Sequence, residues 1–151
     1  MASTAWCYYN NDPANGKKYG KLYNWYAVND PRGLAPKGWH IPTDSEWTML
    51  TNDLGGDSIA GTKMKNSSGW NDYEGRTGIG TNTIGFAGSP GGYRNFNGKF
   101  NGISGDGVWW SSSESDTSLA WGRGLDDLSG KLVRVEDPAD FGFSVRCLRD
   151  W

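Results

Sequence analysis

The clearest hydrophobic pattern in the chain predicts an α-helix that begins near residue 43. Thr43-Asp44-Ser45-Glu46 matches a capping box, in which the first and last side chains each satisfy a backbone N–H group. Apolar residues then follow at helical spacing, at Trp47, Leu50 and Leu54, and Gly55-Gly56 ends the pattern. The sequence therefore predicts one amphipathic helix here.

A second helix is predicted over about residues 57–65. Either Asp57 or Ser58 would cap its N-terminus. Its inward side would be formed by Ile59, Ala60 and Met64. Upstream of residue 35, aromatic side chains are interleaved with turn dipeptides, which predicts short extended pieces and loops.

The remainder of the chain predicts strands joined by long loops. Residues 66–107 are rich in Gly, Asn, Ser and Thr, so we expect mostly loop with brief strands. Extended segments then occur at residues 107–111, 119–125, 131–135 and 142–148. Because helices come first and a meander of strands follows, the predicted fold is α+β, with two helices, a small antiparallel sheet and long Gly- and Trp-rich loops.

Composition adds that the core depends on a few large rings. The 151 residues include 23 Gly and nine Trp, which is unusual for a domain of this size. Each buried aromatic side chain removes roughly 150–250 Å² from water, so a small core of such rings can hold a loop-rich fold. The length predicts a single domain over residues 1–151.

Charge and hydrophobicity argue against two classes of partner. The formal net charge of −2 lacks the basic excess of a nucleic-acid-binding module. The longest apolar run, Trp25-Tyr26-Ala27-Val28, is far shorter than the roughly 20 residues that cross a bilayer. The N-terminal residues also lack the basic and apolar regions of a signal peptide. We therefore expect neither nucleic-acid binding nor membrane insertion.

The two cysteines, Cys7 and Cys147, lie at opposite ends of the chain. A disulfide between them would close nearly the whole chain, and loop closure of that length stabilises a fold by about 4–5 kcal/mol at most. We favour this disulfide, because a loop-rich domain gains most from a cross-link; two buried free thiols are the alternative. The chain has no clustered Cys and His residues, so neither a structural zinc site nor another cofactor is predicted.

Recognisable motifs lie along almost the whole chain, at residues 5–12, 19–28, 33–44, 85–86, 90–94, 109–114, 120–121 and 142–150. Together they resemble the Fibrobacter succinogenes major paralogous domain family. The resemblance implies a C-type-lectin-like fold, with a further similarity to the formylglycine-generating enzyme, and a bacterial surface or secreted protein. Some relatives are variable proteins of diversity-generating retroelements, which implies a role in recognition. The family's usual Gly-Leu-Cys-Pro reads Gly33-Leu34-Ala35-Pro36 here, which weakens the case for a disulfide.

Residues 111–141 depart most from the family pattern and are predicted to form a variable ligand-binding region. Residues matching the fixed positions of the family, Arg123, Leu125 and Arg134, persist there while their neighbours change in chemical class. The predicted contact residues are Gly122, Gly124, Asp126, Asp127, Leu128, Val133, Val135, Glu136, Asp137, Ala139, Asp140 and Phe141.

Strand periodicity supports this assignment independently. Trp121, Arg123 and Leu125 share one face of an extended strand and are predicted to point inward, so the residues between them would point outward. The apolar contact residues would then form an exposed patch, and such patches mark contact sites; they are Leu128, Val133, Val135 and Phe141. Residues 111–141 also contain seven acidic and three basic residues, a net charge of −4.

The leading hypothesis is a non-enzymatic recognition domain for a protein ligand, located outside the cell, on a bacterial surface or on a phage particle. A glycan-binding lectin that uses Trp70 and residues 111–114 is the second hypothesis, and a structural cell-surface module is the third. Trp70-Asn71-Asp72 resembles a calcium-ligating triplet of sugar-binding lectins but lacks a partner loop, so a turn is the favoured role. His40 is predicted to be a hydrogen-bonded structural histidine. The acid pairs Asp126/Asp127 and Glu136/Asp137 predict no glycosidase site, because glycoside hydrolysis needs two carboxyls in unlike environments across a cleft.

Overall fold

The computed structural model describes residues 3–151, and this part of the chain is mostly β-structure. Helices account for only 21% and are short. They are α1 (Pro13–Tyr19), α2 (Trp25–Val28), α3 (Asp44–Asp53) and α4 (Asp57–Met64), with a 3-10 helix at Tyr9–Asn11. The strands are β1 (Trp6–Cys7), β2 (Leu22–Tyr23), β3 (Trp39–His40), β4 (Gly91–Arg94), β5 (Phe100–Ile103), β6 (Asp106–Asp116), β7 (Leu119–Asp126), β8 (Val133–Pro138) and β9 (Leu148–Arg149).

The main element is a curled five-stranded sheet with the strand order β5-β4-β6-β7-β8. Its neighbouring strands are antiparallel except β4 and β6, which run parallel through Gly92 and Gly107. The long central hairpin is formed by β6 and β7, where Trp109 lies opposite Arg123. The short strands form two further pairs, β1 with β2 and β3 with β9.

This architecture corrects the predicted fold class. An α+β, C-type-lectin-like domain with two helices and a small antiparallel sheet was expected, whereas residues 3–151 contain four short helices beside a dominant mixed sheet. Two helices were missed because their caps lie among aromatic and turn residues: the side chain of Asp12 accepts from the Ala14 N–H, and that of Asn24 from the Ala27 N–H.

The brief strands expected in the Gly- and Asn-rich segment are β4 and β5, although no regular alternation there fixes their bounds. The predicted strand over residues 142–148 is instead a chain of single bridges, Arg94 to Gly142, Tyr23 to Phe143 and Trp109 to Ser144. Only Leu148–Arg149 at its end forms a named strand.

Both helices predicted from the sequence are present, but the predicted cap of the second is wrong: Gly56 occupies the N-cap position of α4, and no side chain caps it. In α3, the Thr43 hydroxyl accepts from the Glu46 N–H at 3.2 Å, and the Glu46 carboxylate accepts from the Thr43 N–H at 2.8 Å. In α4, Ala60 and Met64 are fully buried as expected. The prediction for Ile59 is wrong, since its side chain is 46% exposed.

Two hydrophobic clusters cover opposite faces of the central hairpin. One cluster includes Trp109 and Leu125 with Trp47 and the α4 side chains. The other includes Trp110 and Ala120, with Phe143 among its members. Because successive residues of a strand point to opposite faces, Trp109 and Trp110 anchor one cluster each.

Cys7 and Cys147 are free thiols in the structure, so the predicted disulfide is not formed. Cys7 lies in β1 opposite Leu22, whereas Cys147 lines a small cavity beside Trp47. Burial raises the pKa of both thiols. Within the described residues, no helix has the length and apolar character needed to span a membrane.

Candidate ligand-binding groove

The two faces of β7 have different surroundings, as the periodicity predicted. Arg123 and Leu125 are each 2% exposed and lie on the face that packs against α3 and α4. Trp121 shares that face but is only half-buried, and the Arg134 guanidinium lies 3.3 Å from the centre of its ring. The inward prediction is therefore correct for Arg123 and Leu125, while Trp121 forms a partly exposed cation–π contact.

The opposite face of the sheet opens into a groove of about 300 Å³. Strands β4, β6, β7 and β8 and the segment after β8 all contribute to its walls. We call this feature the groove; its lining residues are Tyr93, Asp106, Val108, Gly124, Leu125, Asp126, Val133, Val135, Asp137, Phe141 and Phe143.

Half of the predicted contact set lines this groove. These residues are Gly124, Asp126, Val133, Val135, Asp137 and Phe141. Asp127 and Leu128 lie beside it in a second cavity with Tyr73 and Arg76. The register opposes Glu136 to Trp121, so Glu136 lies on the other face of the sheet, and Asp140 is exposed in the turn after β8.

Two predicted contact residues are not displayed at the surface. Ala139 is 3% exposed and belongs to the core cluster around Trp110. Gly122 is buried, and a Cβ there would lie 2.9 Å from the Trp109 carbonyl oxygen. The outward face of β7 is therefore divided: its N-terminal half is core, and only its C-terminal half lines the groove.

Five groove residues lie outside the predicted contact set: Tyr93, Asp106, Val108, Phe143 and Leu125, the last of which was predicted to point inward. Tyr93 lies in β4, and its ring stacks on that of Phe141 with 6.4 Å between the ring centroids and 15° between the ring planes. Asp106 and Val108 precede the Trp pair in β6 and alternate with Gly107, which is a strand signal that could have placed them on one face. The fully buried ring of Phe143 forms the base of the groove, and its centroid lies 4.2 Å from that of the Trp110 ring.

Backbone contacts hold the Phe141 segment against the sheet. Arg94 and Gly142 exchange N–H to carbonyl hydrogen bonds of 3.0 and 2.7 Å, which join this segment to β4. The Ala139 N–H donates to Ser118, and its carbonyl accepts from the Trp25 N–H at 2.8 Å. Since these bonds fix the chain on either side of Phe141, the aromatic wall of the groove is preformed.

Carboxylates from three neighbouring strands line the groove. Burial raises the pKa of Asp106, and the charges of Asp127 and Asp126 raise it further. Burial also raises the pKa of Asp137, with a smaller contribution from Glu136. The groove thus concentrates negative charge in a partly desolvated space.

Lys65 is a basic residue beside this acidic end of the sheet, and its ammonium group is hydrogen-bonded within the fold. Its ammonium donates to the carbonyl oxygens of Asp126 and Ser129 at 2.9 and 2.8 Å and lies 5.2 Å from the Trp70 ring centre. Burial lowers the pKa of Lys65, while Asp126 and Asp127 oppose that effect. Lys65 therefore positions the turn after β7 from behind the groove.

An ion-pair network occupies the other face of the sheet. The Arg123 guanidinium donates to Asp44 at 2.7 Å, and Arg134 donates to the same carboxylate at 2.8 Å. Burial raises the pKa of Asp44, but hydrogen bonds from Arg134 and Arg123 outweigh it and hold the pKa below its usual value. These contacts join α3 to β7 and β8, so the charges of Arg123, Arg134 and Asp44 are paired within the fold.

Two of the residues proposed for a lectin site, Trp70 and Ser111, are buried. Trp70 is 5% exposed, and its indole N–H donates to the Gly88 carbonyl at 3.1 Å. Ser111 is fully buried, and its hydroxyl donates to the Trp121 carbonyl. Neither side chain is available as a platform or a polar contact.

A larger cavity of about 430 Å³ lies near the N-terminus and includes Trp6, Asp30 and Arg32. Its charges already pair with each other, with 2.6 Å between the Arg32 guanidinium and the Asp30 carboxylate. This hydrogen bond is the main reason that the pKa of Asp30 is lowered to about 2. The cavity therefore offers less unsatisfied chemistry than the groove.

The profile of the Fibrobacter succinogenes major domain matches residues 1–149, so the chain belongs to this family. Comparison with curated proteins and with solved structures gave no significant match. The family assignment agrees with the motifs found along the sequence, and it leaves the ligand to be argued from the groove itself.

Proposed function

We propose that this chain is a non-enzymatic recognition domain that binds a protein partner through the groove. The observation that carries the proposal is the meeting of Gly124, Val133, Val135 and Phe141 from separate chain segments in one preformed cavity. Protein contact sites combine apolar or aromatic anchors with a polar rim, and the groove has both.

Exposed apolar side chains extend this surface beyond the groove. Val133 is 42% exposed at its edge, and Phe96 is 68% exposed with its ring 6.0 Å from Phe141. Leu128 is 57% exposed in the adjoining cavity. Apolar residues grouped in this way mark interaction sites more often than single exposed ones do.

The test is a selection from a random-sequence peptide library on the immobilised full chain. Enriched peptides should bind the parent protein and lose about tenfold or more in affinity for Gly124→Leu, which fills the groove from its floor. Asp53→Leu is the matched control, because Asp53 is exposed at the end of α3, away from the sheet face, and peptides should bind it like the parent.

Equal binding to the parent and to Gly124→Leu would refute the groove as the recognition site. A glycan array probed with the same proteins separates the second hypothesis: glycan binding that Gly124→Leu abolishes, without any peptide enrichment, would show a lectin. Absence of both kinds of binding would favour a structural cell-surface module.

Sequence variation and location are separate proposals with tests of their own. If residues 111–141 are diversified by a retroelement, the neighbouring DNA should hold a reverse transcriptase gene and a near-copy of codons 109–147. Differences between the copies should fall on codons for the predicted contact residues that line the groove and should spare Ser111 and Arg123, which are buried. An extracellular or phage location is tested by fractionation of the source cells and particles.

A further inference from the structure

The groove combines apolar walls with carboxylates that have no ionic partner. Val108, Val133 and Val135 form its aliphatic side, and Phe141 and Phe143 form its aromatic side. Among residues 3–151, no ion pair includes a groove carboxylate. No basic side chain lines the groove either, so its charge is uncompensated.

Two of these carboxylates lie in different parts of the groove. Asp106, in β6, pairs with Asp126 of β7, whereas Asp137, in β8, pairs with Ala120, six residues earlier in β7. Burial is the main cause that raises the pKa of Tyr93, and the charges of Asp106 and Asp137 raise it further. No described hydrogen bond ends on the carboxylate oxygens of Asp106 or Asp137. Their lone pairs are therefore open to a donor that enters the groove.

Asp126 differs from these two carboxylates. Its oxygens accept from the N–H groups of Leu128 and Ser129 at 2.9 and 2.7 Å, so they shape the turn after β7. In the part of the chain that the structure describes, no three His, Cys, Asp or Glu side chains are grouped closely enough to hold one metal ion.

We propose, on the basis of the function proposed above, that the groove receives a lysine or arginine side chain of the protein partner, with its cationic head at one of the groove carboxylates, Asp106 or Asp137. Such side chains join an apolar stem to a charged head, and the groove offers apolar walls to the stem and carboxylates to the head. The stacked rings of Tyr93 and Phe141 add a cation–π surface beside the carboxylates.

The binding of defined peptides to the full chain, followed by amide NMR shifts, tests this inference. The probe is a blocked Gly-rich pentapeptide with a central lysine, compared with the same peptide carrying arginine or uncharged norleucine. Lysine and arginine peptides should shift the amides of Gly124, Val133 and Val135, and norleucine should bind about tenfold more weakly or not at all.

A charge-matched pair of variants separates groove binding from general attraction to an acidic protein. Asp106→Asn with Asp137→Asn should reduce binding of the lysine peptide about tenfold, while Asp53→Asn with Asp57→Asn, at exposed positions of α3 and α4, should leave it within about twofold. NMR dispersion of each variant checks that it is folded.

Equal binding of the lysine and norleucine peptides, equal losses in the two double variants, or the absence of shifts at the groove would each overturn the inference. Failure here is distinguishable from failure of the proposed function. Library peptides that depend on Gly124 but contain no lysine or arginine would leave groove recognition standing and remove its cationic specificity.

Discussion

Two glycines two residues apart in β7 give the sharpest test of how the sheet face is divided between core and groove. Neither Gly122 nor Gly124 has a positive φ, so alanine is conformationally allowed at both. A Cβ at Gly122 would lie 2.9 Å from the Trp109 carbonyl oxygen and 3.2 Å from a Val135 methyl. A Cβ at Gly124 would meet its nearest neighbour, another Val135 methyl, at 3.6 Å, which is an ordinary contact.

The same added methyl group should therefore have opposite effects at the two positions. Overpacking against a carbonyl held in a strand ladder costs about 1–3 kcal/mol, so Gly122→Ala should destabilise the fold by that amount. Gly124→Ala should be neutral or stabilise by about 0.4–1 kcal/mol, because alanine reduces the freedom of the unfolded chain.

Thermal and urea unfolding of the parent and both variants measure this difference. For a domain of this size each kcal/mol shifts Tm by about 2–4 °C, so Gly122→Ala should melt clearly below Gly124→Ala. Equal stabilities, or a greater loss for Gly124→Ala, would mean that the groove does not begin where the structure places it, and the candidate site would have to be reassigned.

Two further predictions concern the contacts that hold α3 and β9. Arg123→Met should destabilise the fold by about 2–3 kcal/mol in urea unfolding, since it removes a buried donor from Asp44; an unchanged midpoint would contradict a structural role for this pair. Hydrogen bonds from His40 to Asp150 at 2.7 Å and to Glu46 at 3.0 Å raise the pKa of His40. The imidazolium should therefore stabilise the fold below about pH 6.5, and this contribution should disappear as the pH rises through the folded pKa. Melting curves should show His40→Asn less stable than the parent at about pH 5 and equal to it well above the folded pKa; a pH-independent gap would contradict the assignment.

Local sequence signals were sufficient for the elements that carry their own instructions. The Thr43 to Glu46 capping box and the spacing of Trp47 and Leu54 placed α3 correctly, because cap and amphipathic face lie within one segment. The alternation along β7 also placed Arg123 and Leu125 in the core, since the period of a strand fixes which residues share a face.

Long-range pairing decided the rest. The sequence alone did not predict that one face of β7 would be covered at Gly122 and open at Gly124, or that Ala139 would be buried. Trp110, Phe143 and α2 pack there, and they come from distant parts of the chain. For the same reason no local sign showed that Tyr93, Asp106 and Asp137 would line one groove: β4, β6 and β8 come together only in the folded sheet. The sequence by itself determined the family, two of the helices and the inward face of a strand. The tertiary structure decided the mixed sheet, the groove and its uncompensated charge, because backbone pairing between distant segments carries little local signature.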